Sequence, residues 1–468
     1  MNYDALFAPF DGQSVRVGLV GAGEFGATLL AQARSIEALT ICAVCERQPQ
    51  RAVNVLKASG YDPARVAVCG RLAEARTALT GGKIAVVTDG RLLAELELDI
   101  VVEATGDAEA ATVTALAAIE AGKHVAMVTK EADCVIGPGL QARAAAQDRV
   151  FTSVDGDQPS LLIGLVSWAR RLGLDIGVAG KSSEYDFVFD AETERVTCRD
   201  RQVEAKGLGR LWSPVPDELR EAAERRAQIL DGLPTRSVSD LCELCVVANA
   251  TGLRPDTAAL HAPILRTQEV PSLLRPAAEG GLMAGHGVLD IFNCLRQADE
   301  ISFAGGVFLV VACGDLEAWR VLGAKGIPIA HDGRHALLYN PQHLLGVEAP
   351  ITLLTAALLS QPSGALAARP VCDLAAQTAI DLEAGQVLSV TDAHKHEVGS
   401  LRPLLLPSAP LAGSSPIPYY MAVGCRLAEA VPAGTTLTLD MVEAPATSAL
   451  WDERRRQDAL FCVKSVEG

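Results

Sequence analysis

The chain has no basic stripe, no long apolar run and no regular cysteine spacing, and each absence removes a class of function. Its 41 Lys and Arg stand against 57 Asp and Glu, a formal net charge of −16. Such a surface repels phosphodiester backbones and anionic bilayers, so neither nucleic acid nor membrane is expected as a partner. Any phosphate-bearing ligand must be held locally, by a few cations and backbone amides. The longest apolar runs, such as VFLVVAC from Val307 to Cys313, fall far short of the roughly 18 residues that cross a bilayer. The opening MNYDALFAPFDGQ has neither a basic n-region nor an apolar h-region, so the expected location is cytoplasmic. Twelve cysteines without framework spacing fit reduced thiols better than disulfides. Cys42 and Cys45 lie three apart on a β-type run and point to opposite faces. Cys242 and Cys245 share a helix face, but no second pair or histidine nearby completes a zinc site, so apolar packing is their expected role.

What is present is apolar content, 49% of 468 residues, enough for two or three domains with sizeable cores. The segment VRVGLVGAGEFG, Val15 to Gly26, runs a β-type stretch into Gly21-x-Gly23-x-x-Gly26 and then into a helical pattern. Gly21 permits the tight turn, Gly23 lets backbone approach a pyrophosphate, and Gly26 lets the helix pack on the strand. The cradle therefore comprises Gly21, Ala22, Gly23, Glu24, Phe25 and Gly26. A second β-type run, LTICAVCE, ends on Glu46, about 20 positions beyond the last glycine, where a ribose 2′-OH is gripped. Arg47 follows, with Arg51 one helical turn on, and guanidinium groups there suit a 2′-phosphate. NADP is the expected coenzyme, with NAD as the alternative.

Near-continuous Val/Ile runs then alternate with helical patterns through LDIVVEATG, KHVAMVT and RVFTSVDGD. This is the pattern of a doubly wound parallel sheet buried on both faces, an α/β Rossmann domain over residues 1–155. Ala104, Thr105 and Gly106 fall at the carboxyl end of one strand and Thr129 at another, the edge where such sheets bind ligands. Residues 156–360 read as an α+β domain, and 365–468 as a small β-rich domain closed by a helix, with the Arg454–Arg456 run on its solvated face.

The stretch Gly122-Lys123-His124-Val125 with Lys130 five residues on resembles the segment of homoserine dehydrogenases that carries an active-site lysine. The likeness to that family extends through Val154-Asp155-Gly156-Asp157-Gln158-Pro159, Ala179-Gly180-Lys181, Val247-Ala248-Asn249-Ala250-Thr251-Gly252-Leu253, AGGVFLVV and Leu338–Gly346. With a C-terminal segment similar to a SAF domain, the chain resembles the homoserine-dehydrogenase-like oxidoreductases, in particular the 1-deoxy-D-xylulose-5-phosphate reductoisomerase-like branch. That resemblance implies an NAD(P)-binding domain, a catalytic and dimerisation domain, carbonyl–alcohol redox chemistry in the cleft between them, a homodimer and, in some relatives, a divalent metal. One departure stands out. Where that branch carries an Asp-Gly-Thr-Lys run before its Glu-x-x-x-Val-Ala-Asn helix, this chain reads RSVSDLCELCVVAN and has no lysine.

Hydride transfer builds charge on a carbonyl oxygen, which needs a proton donor within about 3 Å. Lys130, after a buried strand at the ligand-bearing edge, is the leading candidate, with desolvation lowering its pKa. Lys181 is a second cation, suited to a substrate phosphate or hydroxyl, with Ser182 and Ser183 beside it. Asp157 and Gln158 suit polyol hydroxyls, Gln158 being held extended by Pro159. With Glu184, Asp240 and Glu243 they supply oxygens for Mg²⁺ or Mn²⁺ at spacings that are not diagnostic. The ordinary roles are a helix N-cap for Asp240 and a salt bridge for Glu243. His331 and His335 flank a turn, and His394-Lys395-His396 reads as a polar loop. The reading is an NAD(P)-dependent oxidoreductase acting on a small polyhydroxylated or phosphorylated substrate. The alternatives are a metal-dependent reductoisomerase and a non-catalytic nucleotide-binding sensor or scaffold.

Overall fold

A computed structural model describes residues 2–391 and 397–462; His394-Lys395-His396 lies outside them. Where the sequence sets out three segments, the chain forms two compact units: residues 1–160, 344–402 and 408–468, and residues 161–343 with 403–407.

The first unit is built on seven strands: β1 (Val15–Val20), β2 (Leu39–Cys45), β3 (Val66–Val68), β4 (Ile84–Val87), β5 (Ile100–Glu103), β6 (His124–Met127) and β7 (Phe151–Ser153). Their order is β3-β4-β2-β1-β5-β6-β7, all parallel. The apolar runs of the sequence are buried on both faces; Val17, Leu19, Val44, Val86, Val101 and Val102 are wholly enclosed, as a helix-covered parallel sheet requires. The chain leaves β1 in one direction for β2 and returns on its other side as β5, so the strand order reverses between β1 and β5. In such sheets a ligand crevice opens at that point, outside the carboxyl ends of the strands. The helix Ala349–Leu359 adds Ala349, Leu353, Leu354 and Ala356 to the same core.

Short β pieces follow, with Arg426–Leu427 paired antiparallel to Val442–Glu443. The closing helix Ala449–Cys462 packs on the helices Ala108–Glu120 and Lys130–Ala145. Here the structure corrects the expected solvated arginine run. Arg454 is fully buried and ion-paired to Asp373 at 2.7 Å and Asp458 at 2.8 Å; only Arg455 and Arg456 face water. A charge run read along the chain does not reveal a carboxylate 81 residues away.

The helix Lys130–Ala145 contains Gly137-Pro138-Gly139, and a proline there lacks the N–H its turn needs. Gln457 of the closing helix repairs the next turn. Its Oε1 accepts from Gly139 N–H at 2.8 Å and its Nε2 donates to the Val135 carbonyl at 3.0 Å. One side-chain amide thus bridges the two groups that an i→i−4 bond would have joined.

The second unit is a mixed sheet around the 16-residue β8 (Asp175–Asp190), flanked by the hairpin of β9 (Arg195–Cys198) and β10 (Arg201–Glu204). The short β11 (Arg254–Pro255) and β12 (Ile264–Leu265) run parallel to β13 (Val288–Arg296), itself parallel to β8. Antiparallel to β8 lies β14 (Val307–Ala312), followed by β15 (His335–Asn340). The helix Val238–Thr251 packs on β8 and β13. Cys242 and Cys245 are buried on it, and the Cys245 Sγ accepts from the Asn249 side-chain amide at 3.8 Å. Among the described residues no disulfide forms, and no helix is long and apolar enough to cross a membrane.

Candidate active site

The glycine turn leaves β1 at the reversal point. Gly21 has φ +96°, and a Cβ there would strike the Ala104 carbonyl; a Cβ on Gly26 would strike the Gly21 carbonyl. Only glycine permits this closure of strand, turn and helix. Gly23 differs, with open space where its side chain would be. It is the N-cap of the helix Glu24–Ala33 and supplies no side-chain cap, so the first helical N–H groups are not closed off by their own cap residue. These residues fit a dinucleotide pyrophosphate: an uncapped helix start, room above Gly23 and a turn no side chain fills. Ala22 is buried and donates its N–H to Glu46 Oε2 at 3.2 Å. Glu24 is exposed and Phe25 half-buried, and both Arg47 and Arg51 lie exposed beyond β2.

Across the crevice, Ala104, Thr105 and Gly106 continue β5. The Gly106 N–H donates to Thr129 Oγ1 at 2.9 Å, and Thr105 donates both its N–H and its hydroxyl to Glu103 Oε1, at 3.1 and 2.6 Å. Thr129 thus ties this turn to the residue before Lys130. Lys130 is the first residue of the helix Lys130–Ala145, an element the sequence reading did not assign. Its side chain keeps 19% exposure, and Nζ stands 3.9 Å from Asp157 Oδ1. The Gln158 N–H donates to Asp157 at 3.0 Å. Gln158 is not held extended. It starts the helix Gln158–Arg171, because proline in a first helical turn gives up only an N–H that has no intrahelical partner.

Two buried carboxyl groups near Lys130 escaped the sequence reading. Burial pushes Asp133 up to about 6, against the Ser153 hydroxyl that donates to it at 3.0 Å, and the Asp157 charge adds to the rise. Glu103 is pushed up to about 7, chiefly by burial; Thr105 and Thr129 offset part of this and the Glu131 charge adds to it. An acidic residue closing the apolar run LDIVVE was the available signal. A cavity of about 600 Å³ opens beside Gly106 and Asp107, walled by Met421, Val423, Arg426 and Trp451.

In the second unit Lys181 lies within β8, buried to 1% exposure. Its Nζ donates to Glu243 and stands 3.0 Å from Asp240 Oδ1. Asp240 is not the N-cap the sequence suggested. Ser237 is the cap and Asp240 its reciprocal partner three residues on, receiving the Ser237 N–H at 3.0 Å and the Ser183 hydroxyl at 2.7 Å. Burial raises the Asp240 pKa, but the Lys181 charge and these hydrogen bonds outweigh it and hold the group below its usual range.

The implied divalent metal does not fit these residues. Asp240 and Glu243 are both engaged by Lys181, and Glu184 pairs with Arg199 at 2.9 Å. Among the described residues no group of three His, Cys, Asp or Glu is disposed to hold a metal. His335 is buried on β15 while His331 is exposed before the Gly333 turn, so the two share no metal face.

Residues 156–349 match the family described as oxidoreductase DRL, catalytic domain. No curated protein matches the chain. Solved structures with partial likeness include the biliverdin reductase of Synechocystis sp. PCC 6803, 20% identical over 37% of this chain and 47% of that one, TM-score 0.25. The 1-deoxy-D-xylulose 5-phosphate reductoisomerase of Zymomonas mobilis is 16% identical over 50% of this chain and 58% of its own, TM-score 0.30. The dihydrodipicolinate reductase of Paenisporosarcina sp. TG-14 is 10% identical over 75% and 97%, TM-score 0.32. The chain spans about half the length of the first two. In sequence, the segment that begins at Gly156 is similar to an oxidoreductase catalytic domain, and it follows the parallel sheet and its glycine turn.

Proposed function

We propose that this chain is an NAD(P)-dependent oxidoreductase that interconverts a carbonyl and an alcohol on a small polyhydroxylated substrate. The observation that carries the proposal is the uncapped helix start at Gly23, set against the Ala104–Gly106 turn with Lys130 tied in through Thr129. The bound dinucleotide supplies or accepts the hydride. Lys130 gives a proton to the oxygen on which charge develops and takes it back in the reverse direction, and Asp157 keeps the ammonium oriented. The Ala104–Gly106 turn, fixed by Glu103 and Thr129, supports the nicotinamide half, and Glu46 supports the adenine ribose. NADP is favoured by the exposed Arg47 and Arg51, which can pair with a 2′-phosphate.

Lys181, Asp240 and Glu243, expected from the sequence to hold substrate, are enclosed against one another and are assigned a structural role within their own unit. The metal-dependent reductoisomerase reading is disfavoured by the donor set. A homodimer remains the proposed assembly, to be checked by light scattering. The decisive experiment titrates the protein with NADPH and NADH, then screens sugar-derived aldehydes and ketones at the reduced-nicotinamide absorbance band. Coenzyme binding with turnover lost in Lys130→Ala supports the proposal. Binding of neither coenzyme overturns it, and coenzyme binding without turnover on any carbonyl leaves the sensor reading in its place.

A further inference from the structure

Glu103 closes β5 at the strand-order reversal, between β1 and β6, with no exposed surface. Its Oε1 receives both Thr105 donors, whereas Oε2, equally enclosed, makes no hydrogen bond among the described residues. Buried carboxyl oxygens are ordinarily satisfied, because an ionised group stripped of water and left partly unpaired is costly. Of the groups around it, the Thr105 and Thr129 hydroxyls favour the anion and the charge of Glu131 disfavours it. Glu131 faces it from the start of the next helix, and the Cys45 thiol, itself raised to about 12 chiefly by burial, faces it from the end of β2. The carboxyl is therefore balanced near neutrality between its two protonation states, at the edge where a ligand of this sheet type lies.

A nicotinamide ring carries a positive charge when oxidised and none when reduced. A cation near a buried carboxyl favours its ionised form, and a neutral ring does not. We infer that Glu103 is a positioning residue that reads the redox state of the coenzyme, standing as carboxylate beneath the oxidised ring and as carboxylic acid beneath the reduced one. The inference rests on the dinucleotide reading above. Binding the oxidised coenzyme then releases a proton that binding the reduced coenzyme does not. Affinity for the oxidised form consequently rises with pH below the resting pKa of Glu103 and levels off above it, while affinity for the reduced form stays flat.

Titration calorimetry of the full chain, near neutral pH in two buffers of different protonation enthalpy, counts these protons for NADP⁺ and NADPH. Both coenzymes carry the same 2′-phosphate, so the difference isolates the ring charge. NADP⁺ is expected to release about half a proton more than NADPH, and the ratio of its Kd to that of NADPH to fall about threefold or more from roughly pH 6 to pH 8. Glu103→Gln should bind both coenzymes and abolish the difference; Lys130→Met should keep it. Equal proton counts in the parent, survival of the difference in Glu103→Gln, or its loss in Lys130→Met would each overturn the assignment. Should Glu103→Gln not fold, the parent and Lys130→Met counts decide. Failure of the parent to bind either coenzyme removes the dinucleotide reading as well, whereas binding with equal counts removes this inference alone.

Discussion

Each unit sets a lysine among carboxyl groups, with opposite consequences. In the first, Lys130 keeps 19% of its side chain exposed, 3.9 Å from Asp157, and the nearby Glu103 and Asp133 have raised pKa values. In the second, Lys181 is enclosed at 3.0 Å from Asp240, and that carboxylate is held down despite complete burial. A buried ammonium in direct contact outweighs desolvation; at the edge of the first unit's sheet, desolvation outweighs what surrounds Glu103. Lys130 thus keeps access to solvent beside its carboxylate, whereas Lys181 is closed in by its partners and holds its own unit together.

The comparison is broken most directly by Lys181→Met. Two enclosed carboxylates would lose their counter-charge, at an expected cost of about 3–5 kcal/mol in chemical denaturation; a loss under about 1 kcal/mol would show that Lys181 is not a structural keystone. Lys130→Met should instead leave the unfolding free energy within about 1 kcal/mol of the parent and cut turnover about 100-fold or more. Equal turnover in the variant would sink its assigned role.

The two regions also differ in the sign of their pH linkage. Glu103 and Asp133 bind protons more tightly folded than unfolded, so their contribution to stability falls as pH rises from about 4 through their folded values near 7 and 6. Asp240 acts oppositely, with a contribution present above its unfolded pKa and lost as pH falls through its lowered folded value. Glu103→Gln should therefore gain up to about 3 kcal/mol on the parent between pH 4.5 and pH 8. A parallel pair of stability–pH curves would contradict this. The smallest expected effect is at Gly23, where a methyl meets nothing in the protein. Gly23→Ala should melt like the parent yet weaken coenzyme binding about tenfold, close to 1.4 kcal/mol. Unchanged affinity would move the pyrophosphate elsewhere.

Much of the first unit was legible because its signals are local. A glycine turn, buried Val/Ile runs and an acidic strand end each declare themselves within a dozen residues, and Lys130, Glu46 and Thr105 sit where those signals put them. The charged partnerships were not legible. Lys181 meets Glu243 across 62 positions, Arg454 meets Asp373 across 81, and periodicity specifies which face is buried without naming what waits there. Gln158 was misread, and the helix from Lys130 left unassigned, for a different reason. Proline and glycine break helices in most contexts, but a first turn tolerates the one and a borrowed amide compensates for the other.

That borrowed amide makes the end of the chain a splint for the element that begins with Lys130. Deleting residues 449–462 would strip the Gly139 and Val135 backbone groups of their Gln457 bridge and slacken a helix whose opening residue is the proposed proton donor. A truncated protein is therefore expected to lose turnover well before it loses its sheet, although no residue of the deleted segment is assigned a chemical role.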